Sequence, residues 1–303
     1  MPSASPVPRV SPSLPDHLLA LDGTRLHLCH WPVAQPERLR GVVQTLHGFG
    51  EHQGRFEPLV AALNQAGWAV AGIDHRHCGR SDGARGVIRD GDDLLRDQAH
   101  LHDVLAQAYR GLPHVMVGSS LGGLLAARFA AAQALLASRS AEVDPWVRQV
   151  DAVVLIAPAL APALSPPQSA TLAVLSRMVP DLPVSLSYML AWASSDPEVV
   201  AAKKRDPLIH TSMTPRMVQH MLASARVVFE QLPSWRVPAL ICHATADRLV
   251  APSAARRFVR EAPAGFVEEM ACVDMAHDLL HEPCAPEVIA RIVTWLDPRG
   301  AAR

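Results

Sequence analysis

The chain has 303 residues, of which 49% are hydrophobic and 19% are charged, and its formal net charge is -1. This composition supports a large buried core and gives no electrostatic reason to expect nucleic acid as a partner. No apolar run approaches the roughly 20 residues of a membrane-spanning helix, and the Pro- and Ser-rich start lacks the apolar stretch of a signal peptide. We therefore expect a cytoplasmic protein with a flexible N-terminus at residues 1–16 and scattered, reduced cysteines.

The first half of the chain alternates predicted strands and helices. Residues 17–31 alternate apolar and polar side chains around Asp22-Gly23, a dipeptide that favours a two-residue hairpin. Buried strands follow at residues 41–46, 68–74, 115–117 and 151–157, with helices at 55–66 and 92–109. The pattern predicts the α/β class, with a mostly parallel eight-stranded sheet flanked by helices.

A nucleophile elbow is predicted after the apolar strand at residues 115–117. The strand runs into Gly-x-Ser-x-Gly at residues 118–122, and an apolar helix follows. A serine at so sharp a turn has a strained backbone, and the flanking glycines remove side chains that would collide across it. Ser120 is therefore the predicted nucleophile. The backbone N–H of Leu121, in the first turn of the helix, is a predicted oxyanion donor.

A second glycine-rich loop follows the strand at residues 41–46. Phe49 lies there between Gly48 and Gly50, and glycines allow a backbone to approach a substrate closely. Because loops at the carboxyl ends of parallel strands converge on the ligand, we expect Phe49 close to Ser120. Its backbone N–H is the second predicted oxyanion donor. A tight turn that needs glycine only for backbone reasons is the alternative.

The loop at residues 74–83 contains His75, His77 and Cys78. Two histidines and a cysteine in four residues raise the alternative of a zinc site. No second pair of ligands lies at zinc-finger or zinc-ribbon spacing in the sequence, so the pattern favours a polar turn. We expect neither a metal nor a cofactor.

The alternation of strands and helices stops after residue 157. Prolines break residues 158–233 into short pieces dominated by Leu, Met, Val and Ala. This predicts a helical cap inserted into a core of residues 17–157 and 234–303. Such apolar residues pack a cap on its core, and they also suit a mobile cover that sheds water over a lipid substrate.

Two later strand ends supply the remaining candidates. Asp247 follows a strand at residues 237–243, and His277 follows the last strand at 265–273. A serine hydroxyl needs a base to take its proton, and the imidazole needs a carboxylate to hold its other nitrogen. The order Ser120, Asp247, His277 is that of the α/β-hydrolase triad.

Two neighbours compete for these roles. His281 lies four residues after His277, and we interpret it as structural. Asp278 competes with Asp247, but a carboxylate adjacent in sequence to the histidine is badly placed to orient it.

The chain resembles the monoacylglycerol lipase and lysophospholipase group of the α/β-hydrolase superfamily. The resemblance covers about residues 41–296, and it is strongest at residues 47–52 with Arg55, 74–86, 118–123, 206–208 and 276–282. Two positions depart from the family pattern. Ser119 stands where the family usually has His, and His77-Cys78-Gly79 stands where it usually has Gly-His-Gly.

The resemblance implies hydrolysis of monoacylglycerol to fatty acid and glycerol through a serine acyl-enzyme. It also implies that Glu51, Arg55 and Ser119, the last of which departs from the family pattern, shape the polar end of the pocket. By the same resemblance, the cap supplies an acyl channel. The expected partner is thus a small-molecule or lipid ester, and transient contact of the cap with a membrane surface stays open.

Other activities of the same fold stay open: general carboxylesterase, thioesterase, lysophospholipase and aminopeptidase. From a different class, the alternative is a non-catalytic α/β-hydrolase scaffold that binds a ligand or a partner. The intact set of Ser120, Asp247 and His277 argues against it.

Overall fold

The computed structural model describes residues 12–136, 144–162 and 166–301, so most of the predicted flexible N-terminus lies outside the described residues. The strands are β1 (His17–Leu19), β2 (Arg25–Trp31), β3 (Gly41–Leu46), β4 (Trp68–Ile73), β5 (His114–Ser119), β6 (Ala152–Ile156), β7 (Val184–Ser185), β8 (Ser212–Met213), β9 (Ala239–Ala244) and β10 (Val267–Cys272). The α-helices are α1 (Glu57–Gln65), α2 (Asp93–Ala108), α3 (Leu121–Leu136), α4 (Pro166–Met178), α5 (Pro197–Arg205), α6 (Pro215–Gln231), α7 (Pro252–Glu261) and α8 (Ala285–Leu296). None of the helices in the described part of the chain is long and apolar enough to cross a bilayer.

Eight strands form one sheet in the order β1-β2-β4-β3-β5-β6-β9-β10. Strand β2 pairs antiparallel with β1 and β4, and the other pairs are parallel. This confirms the predicted eight-stranded, mostly parallel sheet. The predicted two-residue hairpin is wrong, because the connection between β1 and β2 spans residues 20–24 and is closed by a hydrogen bond from Ala20 N–H to Thr24 O.

Helices cover both faces of the sheet. In β6, Val153 and Leu155 belong to the cluster that contains α3 and α7, while Val154 and Ile156 belong to the cluster of α1 and α8. Successive side chains of a strand point to opposite faces, so a strand buried on both sides reads as a continuous apolar run. With both faces covered, the carboxyl ends of the strands remain as the place for a site.

The chain between β6 and β9 contains α4, α5, α6 and the short antiparallel pair β7-β8. We call residues 158–233, the predicted cap, the insertion. Helix α6 anchors it, because the Thr214 side chain caps the helix by accepting from Met217 N–H and because Met217 and Val228 are buried in the core. Its exact bounds as a separate unit stay a prediction.

Candidate active site

Ser120 lies in the turn that joins β5 to α3. Its φ is 52°, in the left-handed region that is costly for any residue other than glycine. Two hydrogen bonds hold this conformation: Ser120 N–H donates to Ile156 O at 2.9 Å, and Leu124 N–H donates to Ser120 O at 3.0 Å. The strained turn that the sequence predicts is present, and it raises Ser120 at the edge of the sheet.

The glycines on either side of Ser120 are required by space. A Cβ atom at Gly118 would overlap the carbonyl group of Gly122, and one at Gly122 would overlap the carbonyl oxygen of Leu46 at the end of β3. Each glycine therefore lets two backbones meet where no side chain fits. This close packing brings the end of β3 next to the serine turn.

His277 and Asp247 are joined by a hydrogen bond of 2.6 Å from Nδ1 to Oδ2. The other carboxylate oxygen of Asp247 accepts from the N–H groups of Leu249 at 2.8 Å and Val250 at 3.0 Å. Both carboxylate oxygens thus have fixed partners, and only 4% of the Asp247 side chain is exposed. Since Nδ1 donates to Asp247, Nε2 of His277 is left for Ser120, which lines the same cavity.

The environment of His277 favours its protonated form. Burial opposes the charged imidazolium, but the negative charge of Asp247 and its hydrogen bond outweigh this effect, so the pKa of His277 is raised. An imidazole with this partner accepts a proton more readily than a free one, as a general base requires.

The two competing residues have other partners. Oδ2 of Asp278 lies 2.8 Å from Nη2 of Arg55 and 2.9 Å from Nζ of Lys203, and Oδ1 accepts from His281 Nδ1 at 2.8 Å. Asp278 therefore joins a buried ionic cluster and does not orient His277. His281 is bound to that cluster, as the interpretation of it as structural requires.

The peptide between Gly48 and Phe49 is held beside Ser120. His47 Nε2 accepts from His75 N–H at 2.8 Å, so its Nδ1 carries the proton and donates to Gly48 O at 2.7 Å. In a trans peptide the carbonyl and the following N–H point in opposite directions, so Phe49 N–H points away from His47. A Cβ atom at Gly48 would lie 3.4 Å from Cβ of Ser120, which places this loop beside the serine as predicted.

Leu121 is the first residue of α3. Its backbone N–H accordingly has no acceptor within the helix, and the positive end of the helix dipole adds to its attraction for an anion. The N–H groups of Phe49 and Leu121 therefore come from two different strand ends that both adjoin Ser120.

Ser120 and His277 line a cavity of about 330 Å³ between the core and the insertion. This volume lies at the lower end of the range for small-molecule sites. The insertion contributes a mostly apolar wall, made by Leu172, Leu186, Met189, Leu190, Trp192, Met213, Val218 and Met221. A cavity that has an apolar wall and the Ser120 hydroxyl in its lining suits an acyl chain with its carbonyl at Ser120.

The other end of the cavity is ionic. Nζ of Lys203, which α5 contributes, lies 2.6 Å from Oε1 of Glu51 and 2.9 Å from Oδ2 of Asp278. Burial opposes its charge, but the two carboxylates outweigh this effect and raise the pKa of Lys203. Sequence reasoning missed Lys203, because nothing local distinguishes it from its neighbour Lys204.

The three predicted substrate-binding residues have different positions. Glu51 and Ser119 line the cavity, as predicted. Arg55 is absent from the lining, and its guanidinium pairs with Asp278. A part for Arg55 in shaping the polar end of the pocket stays a prediction; its partner Asp278 does line the cavity.

Glu282 fastens the loop that contains His277. Its carboxylate accepts from Ala276 N–H at 2.8 Å, from Ser195 N–H at 2.8 Å, and from the hydroxyls of Ser194 and Ser195. These bonds tie the residue before His277 to the insertion. The sequence showed Glu282 only as the last residue of a motif. Its role as an acceptor could not be predicted, because the insertion residues that donate to it come close only in the fold.

Comparison with known proteins shows the family of the chain. The family model for serine aminopeptidase, S33, matches residues 37–284. The chain belongs to this family. The hydrolase is 30% identical over 264 residues to the monoglyceride lipase of Homo sapiens, and the match covers 82% of this chain and 80% of that protein. It is 28% identical over 292 residues to the monoacylglycerol lipase of Mycolicibacterium smegmatis, and that match covers 95% of this chain and 98% of that protein.

A solved structure extends the likeness to three dimensions. The crystal structure of Paleococcus ferrophilus monoacylglycerol lipase matches the hydrolase with a TM-score of 0.77 at 26% identity, covering 90% of this chain and 98% of that one. These findings confirm the predicted α/β-hydrolase fold and the resemblance to the monoacylglycerol lipase group. They also confirm the prediction of a serine ester hydrolase.

Proposed function

We propose that the hydrolase cleaves monoacylglycerol to a fatty acid and glycerol, with Ser120, Asp247 and His277 as its catalytic triad. The observation that carries the proposal is one cavity that joins Ser120 and His277 to an apolar wall and an ionic end. The relatives named monoacylglycerol lipase and monoglyceride lipase support glycerol as the alcohol.

In the first half of the reaction, Ser120 Oγ attacks the ester carbonyl carbon while Nε2 of His277 takes the hydroxyl proton. Asp247 stabilises the imidazolium that forms. The carbonyl oxygen becomes an oxyanion and accepts from the N–H groups of Phe49 and Leu121, which are already oriented in the free enzyme. The tetrahedral intermediate then collapses, His277 protonates the departing glycerol oxygen, and an acyl group remains on Ser120.

In the second half, water takes the place of glycerol. His277 removes a proton from the water as it attacks the acyl-enzyme, and the same two N–H groups stabilise the second oxyanion. Collapse of this intermediate breaks the bond to Ser120 and returns the proton to its oxygen. Fatty acid leaves, and the free enzyme is restored.

The ionic end favours a neutral alcohol. Two carboxylates (Glu51 and Asp278) and two cations (Arg55 and Lys203) lie together there, so their formal charges sum to zero. Glycerol hydroxyls can both donate to a carboxylate and accept from an ammonium group. A head group with a net charge would lie beside a residue of like charge on whichever side it approached. The resulting repulsion favours monoacylglycerol over a lysophospholipid.

The size and the surface of the insertion support a single-chain substrate delivered from lipid. A cavity of about 330 Å³ favours one acyl chain over two or three. The insertion exposes large apolar side chains around α4, including Val174 (61% exposed) and Met178 (74% exposed). We propose that the insertion is a lid and that this surface touches lipid transiently. A cytoplasmic location stays a prediction from the sequence.

The test is an assay of fatty-acid release from monoacyl-, diacyl- and triacylglycerols and from lysophosphatidylcholine, with Ser120→Ala as the blank. We expect a preference for monoacylglycerol that the blank abolishes. Cleavage of short esters that depends on Ser120, without cleavage of any lipid, would retain the triad and replace the proposed substrate with that of a general carboxylesterase.

A further inference from the structure

One thiol and two imidazoles meet where the loop after β4 contacts the insertion. Sγ of Cys78 lies 3.2 Å from Nδ1 of His77 and 3.5 Å from Nε2 of His210. Each of the three residues offers a ligand atom within 4.8 Å of the other two. Within the described ranges, no other group of three or more His, Cys, Asp or Glu residues meets this criterion.

We propose that His77, Cys78 and His210 form a binding site for one transition-metal ion of the Zn²⁺ type. With Zn–S bonds of about 2.3 Å and Zn–N bonds of about 2.0 Å, neighbouring ligand atoms of a tetrahedral site are roughly 3.5 Å apart. The two distances from the Cys78 sulfur are already close to this value. Three protein ligands leave a fourth position for water or another small ligand.

Burial favours the neutral form of all three ligands: it raises the pKa of the Cys78 thiol and lowers the pKa of each imidazole, so the thiolate forms only as the ion binds. His77 is fully buried, and its Nε2 has no hydrogen-bond partner among the described residues. Binding replaces the proton of the Cys78 thiol, so one ion is taken up and one proton is released to solvent. No oxidation or reduction is involved.

The loop holds His77 in an unusual conformation. The φ of His77 is 67°, in the left-handed region that a β-carbon makes costly. Arg85 fixes the loop by donating to the carbonyl oxygens of His77 and Gly79, each at 3.0 Å. The guanidinium charge opposes a nearby cation, and the negative charge of a Cys78 thiolate offsets it.

The position of this cluster gives the ion a structural role. His210 belongs to the insertion, and its N–H donates to Gly50 O at 2.9 Å in the loop that also contains Phe49. The ring of Phe49 lies 5.3 Å from that of His210 and 5.9 Å from that of His77, centroid to centroid. A bound ion would therefore join the core loop to the insertion beside the proposed oxyanion donor.

The experiment uses the full chain after removal of metals with a chelator. Zn²⁺ is titrated by calorimetry, bound zinc is measured after desalting, and Co²⁺ is added as an optical probe. We expect one Zn²⁺ per chain, a higher Tm with Zn²⁺, and a thiolate-to-cobalt charge-transfer band. Cys78→Ser and His210→Gln should each abolish the band and the stoichiometric binding. Cys284→Ser, which removes a half-buried thiol outside the cluster, should leave both intact.

Lack of stoichiometric binding by the wild-type chain would overturn the proposal. So would unchanged binding by Cys78→Ser or His210→Gln, or loss of the cobalt band in Cys284→Ser. Cys78 is fully buried and its substitution can impair folding, whereas His210 is half-buried. If Cys78→Ser does not fold, the comparison of His210→Gln with Cys284→Ser decides the outcome.

Discussion

The core side and the insertion side of the cavity are built in different ways. On the core side, backbone geometry fixes the reacting groups: Ser120 is held at a φ of 52°, and Asp247 accepts two backbone N–H groups. On the insertion side, mostly apolar residues form the wall, and the neighbouring Met178 is 74% exposed. We infer from this difference that, in the proposed reaction, the core sets the chemistry and the insertion selects the ester. Core substitutions should therefore affect all esters, and insertion substitutions should affect some esters more than others.

The largest expected effect is that of Ser120→Ala. Removal of the nucleophile should lower kcat by about 10⁴- to 10⁶-fold for short and long esters alike. Alanine fits the same backbone turn, so the Tm should change little. Measurement of kcat on a short ester and on monoacylglycerol checks the prediction. Activity within tenfold of wild type on either ester would remove Ser120 from its proposed role.

Asp247→Asn should lower kcat by about 10³- to 10⁴-fold on every ester, because the histidine loses the carboxylate that orients it. The pH profile carries a separate prediction. His277 must be neutral to act as a base, so activity falls as pH drops through its pKa, which lies above the usual value of about 6.5. Without the Asp247 charge, this acid limb of kcat/KM should move to lower pH. An unmoved limb would contradict the assignment.

Lys203→Met tests the ionic end supplied by the insertion. The change leaves Glu51 and Asp278 without their shared cation, and loss of a buried partner costs about 3 kcal/mol of unfolding free energy. We expect kcat/KM to fall roughly tenfold more for monoacylglycerol than for a short ester of a simple alcohol.

Lys204→Met is the matched control for that variant, because Lys204 is the exposed neighbour on the same helix. It should leave both the Tm and the selectivity unchanged. Equal losses on both esters in Lys203→Met would assign Lys203 to folding and remove it from substrate selection.

The smallest effect is expected on the apolar wall. Leu172→Trp adds volume where α4 lines the cavity, and it should lower kcat/KM for long acyl chains up to tenfold relative to short ones. Val174→Trp lies on the same helix but is 61% exposed, so it should not change chain-length preference. Assays over a series of monoacylglycerols measure the ratio. The same loss at every chain length would refute the idea of an acyl channel.

The core and the insertion also differ in how much of each could be predicted from the sequence. Ser120, Asp247 and His277 could be predicted because each follows a strand of the parallel part of the sheet, and parallel strands place their carboxyl ends together. Lys203 and His210 could not, because both come from the insertion and meet partners far away in sequence. His210 meets Cys78 across 132 positions, and Lys203 meets Glu51 across 152. No local pattern records such contacts.

A smaller miss has a local cause. Asp22-Gly23 indicated a two-residue hairpin, but the Asp22 side chain accepts from Thr24 N–H at 3.0 Å and closes an Asx turn inside a longer loop. The dipeptide therefore located the turn correctly without fixing its length. The pairing of β1 with β2 places Leu19 opposite Arg25, which leaves five residues between the two strands.

The separate roles inferred for the core and the insertion can be tested with phosphonate esters that carry a short or a long alkyl chain. The rate of labelling is measured for each probe, and peptide mass spectrometry locates the labelled residue. For wild type and Leu172→Trp, we expect one label per chain, on Ser120, with both probes. We expect slower labelling of the variant only with the long probe. A label on Ser119 or elsewhere would remove Ser120 from its proposed role, and equal slowing with both probes would refute selection by the insertion.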